Sequence, residues 1–315
     1  MLKRTFLLFL FIAIAAEAQE VRFGEAVVVS AEGPGFCGCM PHSAYGDVFD
    51  PSLAFQRTLW RVRSGTQPSS IAFGPDGNLY ASERTDSQYG IVRYDAGGVR
   101  IGPFGDFFAN YPSALAFDSR GNLIVAQQWA GYGAPIEHTF IRFDAAGRRI
   151  GAIDVPQLTT VVDFDIAADG CTAVVTSFPL IGTVDLCASA PAFVPLPLAP
   201  FGTFYGVRFL PTGHILVSNA EPSYGVGQLQ ELDRDGRLVR NFPGSDPFMR
   251  INLDPDGRSF LAAGSLMIAR YSLDGRRLFG PAQVPHGAWI NATAVRGEWR
   301  AATSPFPHHH RAGGK

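Results

Sequence analysis

The chain has 315 residues, 17% of them charged, with 35 Gly, 23 Pro and a formal charge of −2. The Gly and Pro load sits below disordered or collagen-like levels, so a globular chain rich in turns is expected. No basic field invites nucleic acid, and a chain this long buries enough core to fold without a metal or disulfide.

Residues 1–18 read as a secretory signal. Lys3 and Arg4 form the positive start, and Phe6–Ala16 is an apolar stretch too short to span a bilayer. Ala16 and Ala18 place small residues where signal peptidase reads. The expected product is secreted or periplasmic, with no membrane span after cleavage. Cleavage leaves Lys315 as the one remaining lysine, which removes Schiff-base and P-loop chemistry.

Residues 19–43 read as an N-terminal extension. Cys37 and Cys39, with Met40 and His42 nearby, fit either a soft Cu(I) site or a local bridge, and their pairing stays open. The Gly33-x-Gly35-x-x-Gly38 spacing has Pro34 inside it and no helix pattern after it, so it is read as a chance match to a dinucleotide fingerprint.

From residue 69 a phrase recurs: apolar-x-Phe, three residues, Gly, polar, then an apolar run. It stands at Ser69–Ser82 and Ser113–Ala126, with looser copies at Val162–Thr176, Tyr205–Ser218 and Met249–Ala263. The turn glycines Gly77, Gly121, Gly170, Gly213 and Gly257 are spaced by 44, 49, 43 and 44 residues. A second hairpin follows most copies, as at Val92–Ile101 and Ile141–Ile150. Four short strands per repeat of this length predict an all-β, six-bladed β-propeller over 44–303. Seven blades would need about 300 residues. Gly46–Val62 and Trp289–Thr303 are each expected to give two strands to one shared blade that closes the ring. Residues 304–315 read as a flexible tail containing His308–His310.

Cys171 and Cys187 lie on either side of Pro179. A cross-strand disulfide is expected there, against the alternative of two buried thiols. Beside the channel, the inner strands of blades four to six carry Asp163, Asp165, Arg208, Arg250 and Asn252. These read either as an ion-paired lining, with Asp165 against Arg208, or as a ligand pocket whose arginines recognise an anion. Tyr89, Trp129, Tyr132, Tyr205 and Tyr224 read either as aromatic walls for a sugar or peptide or as ordinary packing of loops over the blades, with packing the preferred reading for any one of them.

The FGPDGNLYAS run at 73–82 and the VRYDAGG run at 92–98 resemble the NHL-repeat and gluconolactonase-like superfamily of six-bladed propellers, in its exported bacterial members. The resemblance covers about 44–303 and rests on turn chemistry, which specifies fold better than activity. It implies a site at one mouth of the central channel. In gluconolactonase-like members a divalent metal there is held by carboxylate and Asn side chains. The ends of the second strands here carry Glu83, Gln127, Thr176, Asn219, Ala263 and Thr303. Glu83 and Asn219 are the candidate ligands for Ca, Mn or Zn, and Glu83 is the weak catalytic candidate. A hard cation asks for about six oxygens, so lactonase activity and a cofactor are not expected. The preferred reading is a monomeric module that binds a protein, peptide or glycan. A metal-dependent gluconolactonase-like hydrolase is the alternative.

Overall fold

A computed structural model of the protein describes residues 19–32, 43–62, 68–85, 88–128, 138–198, 202–221, 225–244, 246–287 and 289–301. These form strands and no helix, so none is long and apolar enough to cross a membrane. The expected signal, Cys37, Cys39 and the His308–His310 tail lie outside the described residues.

The strands make six four-stranded antiparallel sheets. Blade one contains β1 (Ala26–Ala31), β2 (Ala44–Phe49) and β3 (Phe55–Val62), with β24 (Trp289–Val295) innermost. Blade two is β4 (Ile71–Phe73), β5 (Leu79–Thr85), β6 (Gln88–Tyr94) and β7 (Arg100–Phe108). Blade three is β8 (Tyr111–Phe117), β9 (Leu123–Gln128), β10 (Phe140–Phe143) and β11 (Arg149–Ile153). Blade four is β12 (Asp163–Ile166), β13 (Thr172–Ser177), β14 (Leu180–Asp185) and β15 (Phe193–Pro195). Blade five is β16 (Thr203–Phe209), β17 (Ile215–Glu221), β18 (Val226–Leu232) and β19 (Leu238–Asn241). Blade six is β20 (Arg250–Leu253), β21 (Ser259–Gly264), β22 (Met267–Ser272) and β23 (Arg277–Gln283).

The repeated phrase works through its turn. Gly77 N donates to Gly74 O at 3.0 Å and Gly74 N to Asn78 O at 2.8 Å, with Gly77 at φ +79°. A side chain there would be strained, which is why Gly recurs at this step. In the next copy Asp118 Oδ1 accepts from Arg120 N and Asn122 N, both at 2.9 Å, so the aspartate satisfies the turn backbone.

The closing blade differs from the expected two-plus-two arrangement. One C-terminal strand, β24, pairs with β1, and β1 pairs with β2. Three of its four strands therefore come from the N-terminus, and the sheet begins at Ala26, within the stretch read as an extension. The repeat phrase is absent here because the inner hairpin joins two chain ends and has no turn. Strand β1 is buried on both faces. Val27 and Val29 pack with Leu79 and Val92 of blade two, while Ala26 and Val28 pack with Leu261 and Ile268 of blade six. A strand buried on both sides carries a continuous apolar run instead of an alternation. Each fully buried Val contributes ~1.5–3 kcal/mol, so β1 is a major joint of the ring.

Cys171 and Cys187 are disulfide-bonded, with Cα atoms 5.2 Å apart. The ladder register pairs Thr172 with Asp185. The bond therefore sits just past the end of the ladder and clamps the segment that turns towards β15.

Candidate functional site at the channel mouth

Each inner strand starts at one face of the ring, here called upper, and runs to the turn glycines at the lower face. The axis lies among the six inner strands β4, β8, β12, β16, β20 and β24. These strands crowd together. A Cβ on Gly206 of β16 would meet Ile251 N at 3.0 Å and Met249 O at 3.2 Å.

The lower end is filled by the chain's own segment after β24. Gly297 turns this segment at φ +77°, and it then runs beneath blades six, five and four. Glu298 accepts from Asn252 Nδ2 at 3.1 Å, Leu253 N at 3.2 Å and Arg208 Nε at 3.0 Å. Arg300 reaches Glu298 Oε2 at 2.9 Å and Asp165 Oδ1 at 3.3 Å. Arg208 Nη1 also donates to Asp163 Oδ2 at 2.7 Å. Asp163, Asp165, Arg208 and Arg300 are buried, the Glu298 side chain is 6% exposed, and each meets partners, as buried charges must.

Burial pushes the Glu298 carboxyl up, but the guanidinium groups of Arg300 and Arg208 override it and hold it below the usual range. For Asp165 burial wins over Arg300 and Arg208, and its carboxyl is raised. The expected Asp165–Arg208 pair is replaced. Arg208 takes Asp163, and Arg300 takes Asp165. Glu298 and Arg300 were missed from sequence because they follow the last repeat and match no motif.

Above this network lies an axial cavity of about 20 Å³ touched by residues of all six inner strands, among them Ser70, Ser113, Asp163, Arg208, Arg250 and Thr293. That volume holds about one water-sized group. Arg250 crosses above it. Its Nε donates to Asn291 O at 2.8 Å and its Nη2 to Ser69 O at 3.4 Å. Among the described residues no carboxylate lies within 4.0 Å of Arg250, whereas Arg208 and Arg300 each hold two. Burial pulls the Arg250 guanidinium down, against the charge of Asp163.

Aromatic side chains rim this upper end. Tyr89 and Tyr111 meet edge to face at 5.3 Å, and Phe178 and Tyr205 at 6.1 Å. Trp289 packs beside Tyr205 and Met249, and Phe178 is 48% exposed. Of the residues named from sequence, Tyr89 and Tyr205 lie at this end, Tyr205 buried at 9% exposure, while Trp129, Tyr132 and Tyr224 lie outside the described residues. Tyr111, Phe178 and Trp289 were missed. Tyr111 and Trp289 are the first residues of β8 and β24, and Phe178 lies in the turn between β13 and β14, positions that alignment on the turn glycines could have revealed.

The candidate metal ligands are engaged separately. Glu83 is buried and accepts from the Tyr94 hydroxyl. Burial raises its carboxyl, with Tyr94 and Arg100 opposing. Asn219 Oδ1, across the ring in blade five, accepts from Gly202 N at 2.8 Å. The corresponding position of blade one, read from the pairing of Val29 with Ala292, is Glu32, whose carboxylate accepts from the Tyr45 hydroxyl at 2.5 Å, and the expected Thr303 lies outside the described residues. The Glu83, Asn219 and Glu32 oxygens each have a partner within their own blade, whereas a hard cation asks for several that converge. Among the described residues, one trio has its ligand atoms close together, Cys171, Cys187 and Asp185, and its sulfurs are spent in the disulfide.

A second cavity, about 530 Å³, lies away from the axis. It is an open cleft between the outer parts of blades three and four, lined by Arg142, Asp154, Leu186 and Pro191 among others. Asp154 there is already bonded to His138 at 2.8 Å.

No family model and no curated protein matches the chain. Solved structures do. One, from the nidogen/laminin complex, is 11% identical, with 87% of this chain and 98% of that one covered and a TM-score of 0.60. A gluconolactonase from Xanthomonas campestris is 16% identical over 75% and 83%, with a TM-score of 0.54. A virginiamycin B lyase from Staphylococcus aureus is 10% identical over 82% and 86%, with a TM-score of 0.53. The chain is a six-bladed β-propeller. At these identities the likeness is one of fold, and the side chains at the mouth carry any statement about chemistry.

Proposed function

We propose that the protein is an exported, monomeric binding module that takes a peptide, protein segment or glycan at the upper mouth of the propeller. The observation that carries this reading is the asymmetry of the channel. The lower end is filled by Glu298 and Arg300, while the upper end offers a small polar cavity under an aromatic rim. Flat rings with few rotatable bonds suit sugars and peptide side chains, since they bury area at small entropic cost. The disulfide and the signal-like start support export. The fold neighbour from the nidogen/laminin complex is in keeping with a role in recognition.

The test is a screen of glycan and peptide arrays with the protein beginning at Gln19, run beside lactone hydrolysis with and without added Ca²⁺, Mn²⁺ or Zn²⁺. Selective binding with no metal-dependent turnover is the expected result. Metal-dependent turnover abolished by Glu83→Ala would replace this reading with the hydrolase.

A further inference from the structure

We infer that Arg250 is the recognition group of the mouth and that it receives a terminal carboxylate of the ligand; this rests on the binding-module reading above. The charges of the channel differ sharply in how they are used. Arg208 and Arg300 are each fixed by two carboxylates. Asp163, the cavity's own carboxylate, is taken up by Arg208 Nη1 at 2.7 Å, Val207 N at 3.2 Å and Phe164 N at 3.0 Å. Arg208 also donates to Val207 O at 2.6 Å, whereas the bonds of Arg250 go to the carbonyl oxygens of Asn291 and Ser69 and, among the described residues, to no carboxylate. Two carbonyls fix its orientation without neutralising it. A guanidinium carries five donors in a planar fork suited to a carboxylate, and the Asn291 and Ser69 bonds use two of them.

Size sets the rest of the chemistry. A cavity of about 20 Å³ takes a group about the size of a water, so one carboxylate oxygen enters and no sugar ring or side chain does. The ligand therefore inserts an end group at Arg250 and lays its body on Tyr111 and Phe178. Ser70 and Ser113 line the same cavity; the Ser70 hydroxyl supplies a further donor, while that of Ser113 already donates to Ala126 O at 3.3 Å. Charge balance permits the entry. Asp163, Asp165 and Glu298 are matched in number by Arg208, Arg250 and Arg300, so an arriving anion meets no net negative field.

A carboxylate of this kind is carried by a uronic acid or by a peptide C-terminus. Both arms are tested by calorimetry. One uses a glucuronate-terminated oligosaccharide and its methyl ester. The other uses an acetylated Phe-Ala peptide and its amide. Wild type, Arg250→Gln and Arg250→Lys are compared, with thermal unfolding confirming that each variant is folded.

The acid form of one arm should bind at least tenfold tighter than its neutral partner. Arg250→Gln should erase that preference, and Arg250→Lys should retain part of it. The arm that responds identifies the source. Acid and neutral forms binding equally well would overturn the Arg250 proposal and leave the binding module standing. Failure of every probe to bind at millimolar concentration, together with an empty array screen, would overturn both.

Discussion

Arg208 and Glu298, 90 positions apart in the chain, are joined by a buried hydrogen bond of 3.0 Å from Nε to Oε1. The contact ties blade five to a segment that has already left the last strand, and it fills the lower end of the channel. Removing one partner from such a network leaves a buried charge uncompensated, at a cost of roughly 3–5 kcal/mol. Glu298→Ala should lower the urea midpoint accordingly. A midpoint within error of wild type would mean that the segment is not docked.

The same carboxylate makes a pH signature. Its folded value lies below the ordinary 4.5. Its contribution is therefore present in full above 4.5 and is lost as pH falls through the lower folded value. Glu298→Gln should flatten the acid limb of the stability curve. An unchanged limb would contradict the assignment.

Glu83 works with the opposite sign. Burial raises its folded value above the ordinary 4.5, so the folded state loses stability as pH rises from 4.5 through that higher value. Glu83→Gln keeps an oxygen that can accept from Tyr94. The variant should gain on wild type between acid and neutral pH. A constant gap across that range would show that the carboxyl is not desolvated as described.

Loss of the Cys171–Cys187 bond, by Cys→Ser at both positions, should cost about 3 kcal/mol in the chain-entropy account of a loop this short. Unfolding midpoints with and without reductant should differ in wild type and coincide in the variant.

How much could be read beforehand follows from what leaves a local signature. The turns were legible because Gly77 and Gly121 hold φ values that other residues resist, and an adjacent aspartate satisfies the turn. Strand β1 was not, because AVVVSA, buried on both faces, lacks alternation and closes no turn. The mouth was legible as a set of polar positions, but the partner of each charge was not. Arg208 faces Asp163 instead of Asp165 because Arg300, brought in by the C-terminal segment, occupies Asp165. Long-range placement of this kind leaves no trace in spacing.

The most direct measurement for the binding account compares the two faces of the ring. A ligand recovered from the array screen should be titrated against Tyr111→Ala combined with Phe178→Ala at the upper mouth, and against Arg148→Ala in an exposed lower turn. The account predicts at least a tenfold loss of affinity for the mouth variant and none for the lower one, with both folded as wild type. Loss confined to the lower variant, with the mouth variant binding normally, would contradict it.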